Sequence, residues 1–258
     1  MDKPLSMAKN FIQADPWVPL RKFTNARIAV GRAGTSIPLL HHLKFIADHA
    51  QARDAVYAAL DHDRLATKLN DLGLPVIQLQ SNAGNRVEYL QRPDKGRQLN
   101  DASQKRLGNT TACDIAFIIT DGLSARAVQQ HAVPVLSELS GLCINNNFSM
   151  PPVCIVQQGR VAVSDETGML LKAKLAVILI GERPGLSSPH SMGIYITYNP
   201  VVGLTDESRN CISNIHPNGG ITYTNAAQQA FALIQNALTR QLSGVNLKVQ
   251  PILNSSSF

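Results

Sequence analysis

Four short stretches set chemically capable side chains beside glycine. In "VILIGERPGL" (Val177–Leu186) an unbroken apolar run from Leu175 to Ile180 meets Gly181, then Glu182 and Arg183. "QQGRVAV" holds Gly159, Arg160 and Val161, "ITDGLS" holds Asp121 and Gly122, and "ESRNCISNIHPNGG" holds Cys211 and His216. Glycine lets a backbone approach a ligand closely, and its exposed amide can donate to one. A carboxylate accepts charge-assisted hydrogen bonds, and a guanidinium meets phosphate or amide oxygens. Each stretch also has a plainer reading. Glu182 could be a surface acid paired with Arg183, worth about 0–1 kcal/mol. Val161 could be only a strand residue and Asp121 only a turn former, while Arg92, Asp94 and Arg97 could form a helix-start charge network.

Several chemistries lack their signatures. No GxGxxG follows a strand and there is no Walker sequence, so a plain nicotinamide or ATP enzyme is poorly supported. "DGLS" is not a nucleophile elbow. Cys113, Cys143, Cys154 and Cys211 form no CxxC pair, so neither a zinc nor a redox site is expected. Cys211 and His216 are five apart without a local catalytic signature, and a thiol acting as a small hydrophobe is the simpler reading. "NIHPNG" has the spacing of the cobalamin motif DxHxxG with Asn214 at its first position. Asn cannot raise the basicity of a histidine as a charged second partner would, so a loop histidine is favoured over a cobalt ligand.

The net charge of +6 is spread over scattered Lys and Arg without an aromatic-interleaved basic stripe, so nucleic acid is not expected as a partner. No apolar run reaches membrane-spanning length, and the first residues lack a signal-peptide core. A soluble cytoplasmic protein with reduced thiols is expected.

The elements that must carry these turns follow from periodicity. Leu39, Leu40, Leu43, Ile46, Ala47 and Ala50 recur at helical spacing, with Thr35 or Ser36 as cap and Pro38 in the first turn. A short helix fits residues 64–69. "PVIQLQ", "DIAFIITDG", "PPVCIVQQG", "LAVILIGERPG" and "GIYITYNP" read as strands, the last nearer an edge. Helices are expected from about Pro93 to Gly108, after "DGLS" with a break or kink near Pro134, after Ser164, and at the C-terminus, with "ESRNCISNIHPNGG" a loop after the last strand. Alternating helices and unbroken apolar strands imply a Rossmann-like, mainly parallel open sheet with helices on both faces, following a helical N-terminal part. The division is expected at residues 1–89 and 90–258. In such a sheet the three glycine turns after strands line one edge, where ligands bind.

"VGRAG", "YLQRPDKGRQL", "ITDGLSARAV", "QQGRVAVSDETG", "VILIGERPGL" and "RNCISNIHPNGG" occur in this order. Each is weak alone; the ordered set, from about residue 28 to the last helix, resembles the small (light) subunit of ethanolamine ammonia-lyase. The resemblance implies an adenosylcobalamin-dependent radical lyase that converts ethanolamine to acetaldehyde and ammonia. It implies a large (β/α)8-barrel subunit that binds ethanolamine, with cobalamin enclosed between the two chains in repeated large–small pairs. This chain is then inactive alone, with no catalytic residue or metal ligand of its own; a non-catalytic cobalamin-binding or assembly protein of the same fold is the alternative.

Carried over by motif, the cofactor contacts are Val161, Glu182 and Cys211. Arg160 is added on physical grounds, as a guanidinium able to meet the nucleotide phosphate or a rim amide. Glu182 would accept from a corrin amide, Val161 would pack on the ring, and Cys211 would be small where bulk clashes. The family keeps cobalamin's own base on cobalt, so no protein histidine is needed. Relatives with a longer polar lead ahead of the helical part are packaged in bacterial microcompartments. The short lead before "NARIAVGRAG" leaves free cytoplasm and a microcompartment equally open.

Overall fold

The apolar runs become strands of one sheet. The computed structural model describes residues 11–108 and 110–247. Strands β1 (Val76–Gln80), β2 (Cys113–Thr120), β3 (Val153–Gln157), β4 (Ala173–Gly181), β5 (Met192–Tyr198) and β6 (Arg209–Ile215) lie in the order β1-β3-β2-β4-β5-β6. The first four positions are mutually parallel. β5 runs antiparallel to β4, and β6 antiparallel to β5. The fold is therefore α/β around a mixed sheet, with four parallel strands and two antiparallel ones, where a Rossmann-like, mainly parallel sheet was expected. The cause lies in the link from β4 to β5, residues 182–191, which contains no helix. A parallel return needs a longer crossover, so the chain doubles back beside the strand it has left.

β5 is paired on both sides, not at the edge. The edge strand on that side is "RNCISNI", where the sequence pointed to a loop. Its pattern concealed it: Arg209, Ile212 and Ile215 are buried, while Cys211 and Ser213 are exposed. A strand whose buried set includes an arginine offers no apolar run to find.

Among the described residues the strands are accompanied by seven α-helices: α1 (Leu39–Tyr57), α2 (His62–Asp71), α3 (Arg86–Gln91), α4 (Asp101–Leu107), α5 (Ala125–Asn145), α6 (Val163–Leu170) and α7 (Tyr223–Arg240). Side chains alternate across the sheet. Ile115, Phe117, Leu175 and Val177 face a core completed by Leu65 and Leu69 of α2, Leu136 and Leu139 of α5 and Ile234 of α7. Ala116, Ile118, Ala176 and Ile178 face the opposite core with Leu107 of α4 and Val163 of α6. Helices thus cover both faces. Each fully buried Ile or Leu contributes about 1.5–3 kcal/mol relative to exposure.

Three local expectations change. The helix expected from Pro93 is instead a 3-10 turn at Lys95–Arg97 followed by α4, because Asn100 caps α4 by accepting from the Ser103 amide. α5 runs past Pro134 without interruption. α1 starts after Pro38, and neither Thr35 nor Ser36 caps it. Its apolar residues point outward: Leu40 is 74% exposed and Leu39 69%, and only Ala52 and Ala55 are buried. Residues 89 and 90 lie within α3, and β1, which precedes them, pairs with β3.

One buried ion pair joins the sheet edge to a helix. Arg209 of β6 donates to both carboxylate oxygens of Asp165 in α6, at 2.5 and 2.8 Å, with both side chains about 1–2% exposed. Arg209 also reaches Thr197 Oγ1 at 3.3 Å and the Leu204 carbonyl at 3.0 Å. Burial pushes the Asp165 carboxyl up, and Arg209 pulls it back.

Two outcomes follow from this packing. Arg209→Met leaves a buried carboxylate without its partner, so chemical denaturation should show a loss of about 3–5 kcal/mol, and Asp165→Leu in the same chain should recover most of it. Asp114, at the start of β2, bonds Lys174 and Ser149, and the Lys174 contact foremost holds its pKa down to about 2. A depressed acid stabilises the fold above its unfolded pKa near 4 and loses that contribution as pH falls through its folded value. Asp114→Asn should therefore cost about 1 kcal/mol at pH 7, reduced by solvent around Lys174. The gap to the unaltered chain should close between pH 4 and 2 in thermal melts.

Candidate functional site

Because β2, β3 and β4 are parallel, their C-terminal ends share one edge, and glycine lets the turns there touch. Gly122 has a φ of +55°, and a Cβ on it would lie 2.3 Å from the Gly181 carbonyl oxygen. A Cβ on Gly181 would lie 2.1 Å from the Ser124 carbonyl oxygen. The Leu123 amide donates to the Gly181 carbonyl at 2.9 Å. At the third turn, Gly159 N donates to Thr120 Oγ1 at 2.9 Å. The three glycine turns expected along one edge are brought together there.

Next to this edge, β5 and β6 lack a helix over one face, where Tyr195 is half-buried and Cys211 and Ser213 are exposed, while Ile178 and Ile180 of β4 are buried. α6 packs on β4 and β2, while the helices packed on β5 are α5 and α7, on the opposite face. The Asp165–Arg209 pair marks how far α6 reaches across. One register step beyond Thr197 and Arg209 stand Tyr195 and Cys211, with Ile178 of β4 on the other side of Tyr195. Val161, just before α6, and Tyr195 are both half-buried against this core. Glu182 completes the row at the end of β4.

Glu182 does not pair with Arg183, which is exposed. Its carboxylate crosses β5 to β6: Ser213 Oγ donates to Oε1, and the Asn214 amide donates to Oε2 at 3.1 Å. Cys211 is exposed on the strand, yet crowding around its thiol pushes the pKa up, with Glu182 adding to the rise and the Tyr195 hydroxyl opposing it. A thiol held neutral is no activated nucleophile. Burial likewise raises the Tyr195 phenol. The thiols of Cys113, Cys143 and Cys154 are buried, and burial raises them to about 11, 12 and 12.

Arg160 precedes Val161 but turns its guanidinium another way. Nη2 donates to the Tyr89 carbonyl at 2.9 Å, and the guanidinium carbon lies 4.1 Å from the Tyr89 ring centroid. Its buried Nε has no hydrogen-bond partner among the described residues. Arg86, which the sequence reading did not single out, stacks on the same ring at 4.6 Å. Its Nη1 lies 3.5 Å from the buried Asp121 carboxylate and donates to the Gly122 carbonyl at 2.8 Å. Asp121 is thus a clamp on its turn, its pKa raised by burial and lowered by Arg86. Arg92–Asp94 and Lys95–Glu88 form the local charge network.

His216 is buried, with Nε2 2.9 Å from Asn214 Oδ1, so its ring faces its own turn. No cluster of three or more metal-ligating side chains occurs among the described residues. The sequence reading also missed Tyr195 and Ser213. The alternation of "GIYITY" could have placed Tyr195 on a face, whereas nothing marked Ser213 before β6 was known to be a strand. A cavity of about 610 Å³ lies apart from this row, between α1 and the loop at Leu186–Pro189, lined by Arg27, His41 and Asp48 among others. No helix among the described residues is long and apolar enough to cross a membrane.

Comparison with known proteins bears on the whole chain. Residues 14–248 match the family described as "Ethanolamine ammonia-lyase light chain (EutC)". The chain is 50% identical over 260 residues to the "Ethanolamine ammonia-lyase small subunit" of Pseudomonas syringae pv. tomato, covering 98% of this chain and 90% of that one. It is 52% identical over 239 residues to the protein of that name from Pseudomonas aeruginosa, covering 91% and 87%. For Pseudomonas putida the identity is 50% over 246 residues, covering 93% and 90%. Matches of this extent span the sheet, the glycine turns and the row from Val161 to Cys211, and the chain belongs to the ethanolamine ammonia-lyase light-chain family.

Proposed function

We propose that this chain is the small subunit of an adenosylcobalamin-dependent ethanolamine ammonia-lyase and closes over cobalamin against a large catalytic subunit. The enzyme converts ethanolamine to acetaldehyde and ammonia. The supporting observation, beside the family match, is the helix-free patch on β5 and β6, where Tyr195 is half-buried and Cys211 and Ser213 are exposed, bordered by Val161 and Glu182. A shelf of this kind, partly apolar with an acceptor at its rim, fits a broad ring fringed with amides. The bound cofactor supplies homolytic radical chemistry, and the protein positions it and excludes water.

The residues of this chain bind and orient. Glu182 accepts from an amide N–H at the corrin rim, a charge-assisted bond. Val161 packs against the ring, and Cys211 offers a small neutral group where a larger one would clash. Tyr195 supplies a flat ring between them. Arg160, half-buried beside Val161, is the guanidinium placed to meet the nucleotide phosphate or a rim amide. His216 is occupied by Asn214, in keeping with cobalamin retaining its own base. Ethanolamine is held by the large subunit, and this chain contributes no catalytic residue or metal ligand.

The partner surface falls in the N-terminal part. Trp17, Phe23, Leu39, Leu40 and Leu43 are all more than half exposed, although α1 adds almost nothing to the core. A concentration of exposed large apolar side chains in one part of the chain is what a protein–protein contact calls for. Residues 1–89 would thus serve mainly docking and 90–258 the cofactor, with β1 tying the first to the sheet. Repeated large–small pairs, in the cytoplasm or in a bacterial microcompartment, complete the reading.

Co-expression with a matching large subunit should give ethanolamine turnover on addition of adenosylcobalamin, with none from this chain alone; a correctly assembled but inert pair would favour a non-catalytic cobalamin-binding or assembly role. Glu182→Ala should raise the cofactor Kd of the assembled enzyme about tenfold, consistent with losing a charge-assisted bond, with little change in melting temperature. Leu40→Asp with Leu43→Asp should abolish co-purification with the large subunit while altering the stability of this chain by no more than about 0.5 kcal/mol, as expected at exposed positions.

A further inference from the structure

Glu182 is the only member of the row whose carboxylate must leave its own strand to reach its partners, and the chain is shaped around that crossing. The side chain starts at the end of β4 and passes over Gly193 of β5. A Cβ on Gly193 would lie 3.1 Å from Glu182 Oε1 and 3.4 Å from its Cγ, so any larger residue presses on the carboxylate. The φ of Gly193 is not in the left-handed region, so its lack of a side chain serves space rather than backbone conformation.

At the far end β6 departs from regular pairing. The register shifts between Met192 and Ile194, so that Ile194 pairs with Ile212 but Met192 with Ile215. The extra residue in such a bulge re-aims the groups around it. Here Asn214 adopts a φ of +63°, a conformation Asn tolerates better than most residues. Its amide consequently donates to Glu182 Oε2 instead of joining the ladder, and Ser213 Oγ donates to Oε1. The bulge is fastened from behind. The Ile221 amide donates to the Asn214 carbonyl at 2.8 Å, and His216 Nε2 lies 2.9 Å from Asn214 Oδ1. Gly220 fits against both, since a Cβ there would lie 2.4 Å from the Asn214 carbonyl oxygen and 2.6 Å from His216 Cδ2.

Each carboxylate oxygen therefore takes one donor from β6 and keeps acceptor capacity for a second partner on the open face. An exposed glutamate ordinarily samples many rotamers, and ordering it on binding carries an entropic cost. We infer that Ser213 and Gly193 are positioning residues for the cofactor: with the Asn214 bulge they hold the Glu182 carboxylate ready for a cobalamin amide before binding. This rests on the proposal that Glu182 is the rim acceptor. It assigns His216 and Gly220 a purpose as supports of the bulge, where a cobalt-ligating motif had been the resemblance to weigh.

The test is adenosylcobalamin titrated by equilibrium dialysis into the assembled large–small enzyme, with the melting temperature of each variant taken in parallel. Ser213→Ala should raise Kd about fivefold, the equivalent of one ordinary hydrogen bond. Ser213→Thr, which keeps the hydroxyl, should restore it. Gly193→Ala should raise Kd similarly by displacing a carboxylate that is still present. Melting temperatures should stay within a degree or two. In a Glu182→Ala background, Ser213→Ala should have no further effect, because it acts through that carboxylate. Unchanged Kd for Glu182→Ala would defeat the reading of Glu182 as a cofactor contact. A clear effect of Glu182→Ala with none from Ser213→Ala or Gly193→Ala would overturn the positioning inference alone. So would an undiminished Ser213→Ala effect in the Glu182→Ala background, which would make Ser213 a direct contact.

Discussion

The buried pairing of Asp165 with Arg209 is the interaction on which the layout of the open face depends. Two charges removed from water are tolerable only with each other and with further hydrogen bonds, which Thr197 and Leu204 provide here. The pair therefore dictates a geometry: α6 must reach over β5 to β6, and β6 must turn its first residue inward. The face is closed at that level. Beyond it no helix lies over β5 and β6, where Tyr195 is half-buried and Cys211 and Ser213 are exposed. A hydrophobic contact in the same place would have allowed sliding, whereas a bidentate guanidinium–carboxylate contact does not.

A second constraint works at the strand ends. Gly122 and Gly181 bring the turns after β2 and β4 into backbone contact, and Gly159 packs against the Thr120 side chain, to whose hydroxyl its amide donates. These approaches leave no room for a Cβ, so the edge is rigid where the row of candidate cofactor contacts begins. Arg86 reinforces it by tying the Gly122 turn to Gln158 after β3 and to Val56 at the end of α1. Rigid support of this kind suits a surface that must present an acceptor in one place. α1 has the opposite character, with its leucines outward and only Ala52 and Ala55 buried.

Much of the fold was legible in the residues. β2, β3 and β4 announced themselves as apolar runs, since burial on both faces demands continuous hydrophobicity, while β1 showed as a short β-like run and β5 by alternation. The glycines after β2, β3 and β4 marked the sheet edge, and the ordered motifs pointed to the light-chain family that the comparisons then established. β6 was not legible, because Arg209 fills a position that pattern reading reserves for apolar residues. Its burial makes sense only once Asp165, distant in sequence, lies opposite. The outward face of α1 was hidden for the converse reason: leucines at helical spacing predict a helix but not which surface it meets.

The residue types along the chain thus settled five of the six strands, where the backbone must turn closely and which family the protein joins, because those depend on local hydrophobicity, glycine and ordered motifs. The direction of β5 and β6, the helix-free patch on them and the hold of Ser213 and Asn214 on Glu182 came from contacts between segments far apart in sequence. Whether a side chain such as Glu182 meets its neighbour Arg183 or crosses two strands to a bulge is decided by which partner the packed sheet brings within hydrogen-bonding distance. Adjacency in sequence carries no information about that.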